Sequence, residues 1–273
     1  MLTEPTTADG ERGLAALLAE PLRAVIAVDF DGTLAPIVER PEDARPAPGA
    51  LDALTSLGGS VGRVAVVTGR GAEDVVRLGE LHRVPRLHVV GHYGLEEWSD
   101  GELTSPEPSR AVDQVRRRLP ELLATAPTGV HVEDKKHSVV VHTRPAADPV
   151  AALADLTPLL QSLADEVGLE TVPGRFVVEL RPPGVDKGAA LRRIVSTYDA
   201  RSVLYVGDDL GDLAAFDAIA ELRRDSVPGV TVASVDPALA DAPRELADRA
   251  DLVLAGPIAV VDWLTALAAA IGG

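Results

Sequence analysis

Short apolar runs alternate along most of the chain with stretches whose apolar positions recur every three or four residues. Val25-Ile26-Ala27-Val28, Val64-Ala65-Val66-Val67, Leu87-His88-Val89-Val90, Val203-Leu204-Tyr205-Val206, Val230-Thr231-Val232-Ala233 and Leu252-Val253-Leu254 are the runs. Rich in β-branched residues and free of polar alternation, they read as strands of a sheet buried on both faces. Between them lie helical patterns. Ala50, Leu51, Leu54 and Leu57 share one face and Gly58-Gly59 is expected to end that helix. Residues 1–20, Glu73 to Leu78, Asp186 to Tyr198 and the Ala/Leu-rich end of the chain read as further helices. Strands that alternate with helices predict a parallel, Rossmann-like α/β sheet.

The middle of the chain breaks this rhythm. Residues Gly101 to Pro108 are polar and proline-rich, as a linker would be. A helix from Arg110 to Leu123 follows, then strands Val130–Glu133 and Ser138–His142. Asp148-Pro149 supplies a cap and a first-turn proline to a helix whose apolar face is Val150, Leu153, Leu156, Leu160, Leu163 and Val167, with a kink expected at Pro158. Leu169 to Val172 and Arg175 to Leu180 read as strands joined by a turn at Pro173-Gly174. The order α-β-β-α-β-β predicts a small α+β cap with an antiparallel sheet. The expected organisation is a core of residues 1–104 and 182–273, interrupted by a cap at 105–181.

Composition narrows the partners. With 46% apolar and 25% charged residues the chain is globular. A net charge of −16 argues against nucleic acid or an anionic membrane, and requires that an anionic substrate be met by a local positive pocket. There is no cysteine, hence neither a disulfide framework nor a thiolate metal site. No apolar run reaches the roughly 18 residues of a membrane span, and the first residues lack a charged-then-apolar signal pattern, so a cytoplasmic protein is expected. Only three of its 26 basic residues are lysine: Lys135, Lys136 and Lys187. Where arginine serves for generic charge, a retained lysine is either a place that needs a compact point charge or a leftover of compositional bias, and the count alone does not separate the two.

The chemistry gathers where strands end. The first strand runs into Asp29-Phe30-Asp31-Gly32-Thr33, the second into Thr68-Gly69-Arg70, and the fourth into Gly207-Asp208-Asp209-Leu210-Gly211-Asp212. Lys187 opens the helix before that fourth strand. Taken alone, Asp-x-Asp-Gly is equally an Asp-Gly turn with solvated carboxylates, and Asp209 and Asp212 are good helix caps. Parallel strands deliver their carboxyl ends to one edge, where open α/β sheets bind ligands. Five carboxylates brought together there, Asp29, Asp31, Asp208, Asp209 and Asp212, repel one another unless a cation intervenes. An all-oxygen set with few protein ligands suits Mg²⁺. Lys187 and Thr68 would then face phosphoryl oxygens.

These elements, in this order, resemble the haloacid dehalogenase superfamily of aspartate-nucleophile phosphatases. The resemblance implies that Asp29 attacks phosphorus to form an aspartyl-phosphate, and that Asp31 protonates the leaving alcohol and later deprotonates water. It also implies that Asp29, the backbone carbonyl of Asp31 and Asp208 hold Mg²⁺, that Asp209 and Asp212 support that shell and Lys187, and that Thr68, Gly69 and Lys187 bind phosphate. The cap carries Val132-Glu133-Asp134-Lys135, His142-Thr143-Arg144 and Gly174-Arg175-Phe176-Val177-Val178-Glu179-Leu180-Arg181. Those segments are similar to trehalose-6-phosphate phosphatases, in which residues matching Glu133, Lys135 and Glu179 grip sugar hydroxyls. Arg70 and Arg144 are further candidate substrate contacts, or else surface ion pairs. Gly91-His92-Tyr93-Gly94-Leu95-Glu96 departs from that family's Gly-x-His-Gly-x-Glu by carrying tyrosine where histidine is usual. The expectation is a Mg²⁺-dependent sugar-phosphate phosphatase, monomeric or weakly oligomeric. A related disaccharide-like or cyclitol phosphate as substrate stays open, as does an inactive sugar-phosphate-binding regulator of the same fold.

Overall fold

Thr7 caps the first helix in the computed structural model, which describes residues 2–174, 176–235 and 243–272. That helix, α1 (Ala8–Ala19), leads into β1 (Ala24–Val28), all of whose residues are buried. Helix α2 (Ala50–Ser60) runs through the glycines expected to stop it. A Cβ on Gly58 would stand 2.2 Å from the carbonyl oxygen of Pro85, so that glycine serves close packing. A helix interior accepts the substitution for about 1 kcal/mol relative to alanine. Next come β2 (Arg63–Val67), α3 (Ala72–Leu78) and β3 (Leu87–Gly91).

Where a linker was expected from Gly101, the chain instead forms a hairpin of β4 (Glu96–Ser99) and β5 (Glu102–Thr104). Ser99 pairs with Glu102, and the two loop residues Asp100 and Gly101 have φ of 54° and 88°. That is the conformation a two-residue hairpin turn demands, and Asp-Gly is its sequence signature.

The intervening unit contains α4 (Arg110–Leu122), β6 (His131–Asp134), β7 (Val139–His142), α5 (Pro149–Val167), β8 (Glu170–Gly174) and β9 (Val177–Arg181). The chain then forms α6 (Lys187–Thr197), β10 (Ser202–Gly207), α7 (Leu213–Arg224), β11 (Gly229–Ser234), α8 (Arg244–Arg249), β12 (Leu252–Leu254) and α9 (Gly256–Gly272). Two compact units result: one runs to Thr104 and resumes at Asp186, and the other is Ser105–Val185.

Among the described residues, the core strands form one sheet in the order β12-β11-β10-β1-β2-β3-β4-β5. It is parallel from β12 to β3, and the β4–β5 hairpin adds antiparallel strands at one edge. One apolar layer joins the sheet to α1, α2, α3 and α9 through residues such as Leu17, Leu54, Val75 and Leu264. The opposite layer joins it to α6, α7 and α8 through Leu191, Ile194, Phe216, Ile219 and Leu246. From β1 the chain adds strands on one side, and β10 later pairs on the other side. The strand order therefore reverses between β1 and β10, and the crevice beyond their carboxyl ends is where such sheets hold ligands.

In the cap unit, β6-β7-β9-β8 form an antiparallel sheet. One of its faces, with Val139, Val141, Val178 and Leu180, packs on α4 and α5 through Val112, Val115, Leu156, Leu160 and Leu163. Helix α5 is continuous through Pro158. Val150, expected on its apolar face, is exposed. It lies two residues from buried Ala152, about 200° around the helix at 100° per residue. Pro173-Gly174 is not the expected turn: both residues belong to β8 and pair with Val178 and Val177. Strand β8 is a sheet edge, where a proline's missing N–H leaves no ladder bond unmade. Arg175, placed by the sequence at the start of the next strand, lies outside the described residues.

Candidate active site

Asp29 follows the last residue of β1, and its N–H donates to the carbonyl of Val206 in β10 at 2.9 Å. Asp208 follows the last residue of β10. Parallel pairing of Val28 with Val206 therefore sets the two aspartates side by side at the switch point. Between them the backbone turns at Gly32, with φ of 69°. A Cβ there would stand 1.9 Å from Asp208 Oδ2, so the turn excludes any larger residue on both conformational and steric grounds. Ser234 Oγ at the end of β11 donates to the Gly32 carbonyl at 2.6 Å and pins the turn from the other side.

Lys187 is the buried hub. Its Nζ donates to Asp29 Oδ2 and to Asp212 Oδ1, each at 2.7 Å. Asp186 caps α6 by accepting from the Ala189 N–H, which fixes the first turn that carries the lysine. Asp212, fully buried, accepts four hydrogen bonds: from Lys187 and the Tyr205 hydroxyl on Oδ1, and from the N–H groups of Asp208 and Asp209 on Oδ2. Asp209 Oδ1 accepts from the Gly211 N–H, so Asp209 and Asp212 together box the turn Leu210–Asp212. The capping reading of these two aspartates thus holds, and Asp212 at the same time bonds Lys187.

The electrostatics of this cluster are unbalanced. Carboxylate oxygens of Asp29, Asp208 and Asp212 all lie within 4.8 Å of one another. Burial raises the Asp29 pKa to about 7 against the pull of Lys187, with Asp212 adding repulsion. Burial and the charges of Asp29, Asp212 and Asp209 raise Asp208 to about 9. Burial also disfavours the Lys187 ammonium, but Asp212 and Asp29 more than offset it, so the lysine stays charged. One ammonium cannot neutralise three adjacent carboxylates in a site of low dielectric. Asp212 has its oxygens occupied by donors, whereas Asp29 and Asp208 keep lone pairs available. Hard carboxylate oxygens with an excess of negative charge are the donor set that Mg²⁺ takes.

The sequence-predicted core residues thus come together around β1, β2 and β10. Asp29, Asp208, Asp209, Asp212 and Lys187 form the cluster just described. Thr68 is buried at the end of β2, and its Oγ1 accepts from the Arg70 N–H at 3.2 Å. Gly69 lies under Tyr93, whose Oη would stand 2.6 Å from a Cβ at that position. Tyr93 N–H donates to the Thr68 carbonyl and His92 N–H to that of Arg70, so the turn His92–Gly94 braces this loop. Asp31 turns its carboxylate to Arg70, which donates Nε to Oδ2 at 2.6 Å and Nη2 to Oδ1 at 2.7 Å.

On the cap sheet, Glu133 and Glu179 both pair with Val140 and so share the face turned away from α4 and α5. His142 Nε2 lies 2.8 Å from Glu133 Oε2, and this bond holds the Glu133 pKa below the usual glutamate value, with Lys135 adding to the effect. Glu179 is buried and accepts from Ser138 Oγ at 2.5 Å. Lys135 lies past the end of β6, and Arg144 is exposed beyond the end of β7.

Sequence reasoning missed the residues that hold these groups in place: Tyr205 on Asp212, Ser234 on Gly32, Ser138 on Glu179 and His142 on Glu133. Tyr205 carried a signal, since a buried tyrosine in an apolar strand must find a partner for its hydroxyl. The others read as ordinary strand residues.

A family model described as trehalose-phosphatase matches residues 27–243. A trehalose-phosphate phosphatase of Mycobacterium avium is 36% identical over 222 residues, 75% of this chain and 52% of that protein. The chain thus spans about half the length of that curated relative. The C-terminal domain of a C. albicans trehalose-6-phosphate phosphatase superposes with a TM-score of 0.76 at 21% identity, over 98% of this chain and 99% of that one. A haloacid dehalogenase-like hydrolase from Bacteroides thetaiotaomicron gives 0.63 at 14% identity, over 89% and 99%. The core sheet with its inserted cap is therefore a haloacid dehalogenase-like fold. With the family match running from the end of β1 through the cap unit and β10, the chain belongs to the trehalose-phosphatase family.

Proposed function

We propose that this chain is a cytoplasmic, Mg²⁺-dependent phosphatase that hydrolyses trehalose 6-phosphate to trehalose and phosphate. The observation that carries the proposal is the buried bridge of Lys187 between Asp29 and Asp212, beside Asp208. A purely structural ion pair would balance its charges; this cluster holds a surplus of carboxylates around one ammonium. Asp29, Asp208 and the backbone carbonyl of Asp31 are the proposed Mg²⁺ ligands, and the ion would supply charge that lets an anionic phosphate approach an anionic nucleophile.

The remaining chemistry belongs to the chain. Asp29 supplies a carboxylate nucleophile, with Oδ1 held by the Phe30 N–H at 2.6 Å and Oδ2 by Lys187. Attack on phosphorus forms an aspartyl-phosphate and releases the sugar alkoxide, which takes a proton from Asp31. Water then attacks the aspartyl-phosphate, gives its proton back to Asp31 and frees phosphate, leaving Asp29 as it began. Lys187, Thr68 and the loop at Gly69 bind the phosphoryl oxygens. Glu133, Lys135, Glu179 and Arg144 are the proposed sugar contacts, because charged partners penalise an analogue that lacks a hydroxyl.

The test is Mg²⁺-dependent phosphate release across a panel of sugar phosphates, compared on kcat/KM. Trehalose 6-phosphate is expected to lead the panel, and Asp29→Asn to abolish turnover. An Asp29→Asn protein that turns over at the wild-type rate would remove the nucleophile, and a different leading substrate would remove the trehalose assignment.

A further inference from the structure

Arg70 was expected to contact substrate, yet its guanidinium is already engaged. Nε and Nη2 take the two oxygens of Asp31 in parallel, while Nη1 donates to the Pro41 carbonyl at 2.6 Å. Its central carbon lies 5.7 Å from the centre of the Phe30 ring. The Arg70 side chain is only 18% exposed, against 37% for Asp31. Besides Asp31, the guanidinium is held by the Pro41 carbonyl and lies beside the Phe30 ring. Asp31 is the partner that receives an orientation.

Asp31 needs one. Its side chain is 37% exposed, so without a partner the carboxyl group is free to turn toward solvent. A planar fork that meets both oxygens fixes direction as well as position, which a lysine ammonium cannot do. Each carboxylate oxygen has two lone-pair sites, so the fork still leaves one on each for a further partner.

We propose that Arg70 is a positioning residue for Asp31, holding its carboxyl group in the orientation from which it serves the leaving oxygen of the substrate. The inference deepens the phosphatase reading and rests on it. In the first step the P–O bond to the alcohol breaks, phosphorus bonds to Asp29, and the alcohol oxygen receives the Asp31 proton. A poorly aligned Asp31 slows this step only where the departing oxygen needs that proton. A sugar alkoxide needs it; an acidic phenolate does not.

The experiment compares kcat/KM for trehalose 6-phosphate with kcat/KM for p-nitrophenyl phosphate in the wild type, Arg70→Met, Arg70→Lys and Asp31→Asn, at saturating Mg²⁺. This constant reads the step that expels the alcohol and not hydrolysis of the common aspartyl-phosphate. The ratio of the two constants is expected to fall about tenfold or more in Arg70→Met, in the same direction as in Asp31→Asn, since general acid catalysis contributes about 10²–10⁴-fold. Arg70→Lys, which keeps charge without the fork, is expected to lie between wild type and Arg70→Met. If Arg70→Met slows both substrates alike, or leaves the ratio unchanged, Arg70 acts on phosphate binding or on folding and the inference is overturned alone. If the wild type cleaves p-nitrophenyl phosphate but not trehalose 6-phosphate, the substrate reading falls, and the same ratio is taken with the alkyl phosphate the panel identifies. A wild type that cleaves neither overturns both. Melting temperatures measured in parallel identify a variant that fails to fold, and Arg70→Lys then carries the comparison.

Discussion

The edge of the core sheet and the cap-sheet face turned away from α4 and α5 use the same few residue types in opposite ways. At the core edge, Asp29, Lys187 and Asp212 are buried and bonded into one unit, so no member can change charge without moving the others. On the cap, Glu133 is 42% exposed with His142 as its partner, while Glu179 is buried with a neutral hydroxyl, Ser138. The core groups are buried against opposite charge, whereas on the cap the buried carboxylate has a neutral partner and the histidine-paired one is half-exposed. In a water-excluded site each charge depends on a specific neighbour, whereas a half-exposed pair is screened by solvent and tolerates change. A network of the first kind holds a reacting group in one state; contacts of the second kind can be retuned one at a time.

Lys187→Met should give the largest effect. It leaves Asp29 and Asp212 buried without their cation, and the expected cost is about 3–5 kcal/mol, read by urea denaturation in the presence of a chelator. A stable Lys187→Met protein would show that the core cluster is as forgiving as the cap. Tyr205→Phe removes one charge-assisted donor from Asp212 and keeps the ring packed, with an expected cost of about 1.5–3 kcal/mol in the same assay. A value near zero would mean that the remaining three donors satisfy Asp212 unaided. Glu133→Gln should be the mildest, less than about 0.5 kcal/mol at neutral pH.

That last variant also has a pH signature. The His142 bond depresses the Glu133 pKa, so its contribution is present above the ordinary glutamate value of 4.5 and is lost as pH falls through the lower folded value. Melting curves from pH 6 downward should therefore lose less stability in Glu133→Gln than in the wild type. An equal or steeper acid decline in the variant would contradict the assigned direction.

Much of this was legible in the residue order. The apolar runs located every parallel strand, because strands buried on both faces leave no other choice of residue. That Asp29, Thr68 and Asp208 share one edge was legible because parallel strands deliver their carboxyl ends together, and Lys187 stood out as a lone lysine at a helix start. The β4–β5 hairpin was hidden although Asp100-Gly101 announced it, since its half-exposed strands lack an apolar run. Gly58 and Pro173 were misread as punctuation: one fits a close helix contact and the other a sheet edge, and both facts concern neighbours distant in sequence or in the sheet.

By itself, then, the sequence determined the parallel strands and most of the helices, that a smaller unit interrupts the core, and that Asp29, Asp208, Asp212 and Lys187 gather at the sheet's edge. Periodicity and strand-end motifs are local properties, and local properties survive in one dimension. Only the tertiary structure decided that Arg70 grips Asp31, that Tyr205 and Ser234 brace the site, and that Ser138 and His142 hold the cap carboxylates. Those pairings span from 7 residues, between Tyr205 and Asp212, to 202, between Gly32 and Ser234. Hydrogen-bond partners are assigned by distance and direction once the chain has packed, and no pattern along the chain encodes them.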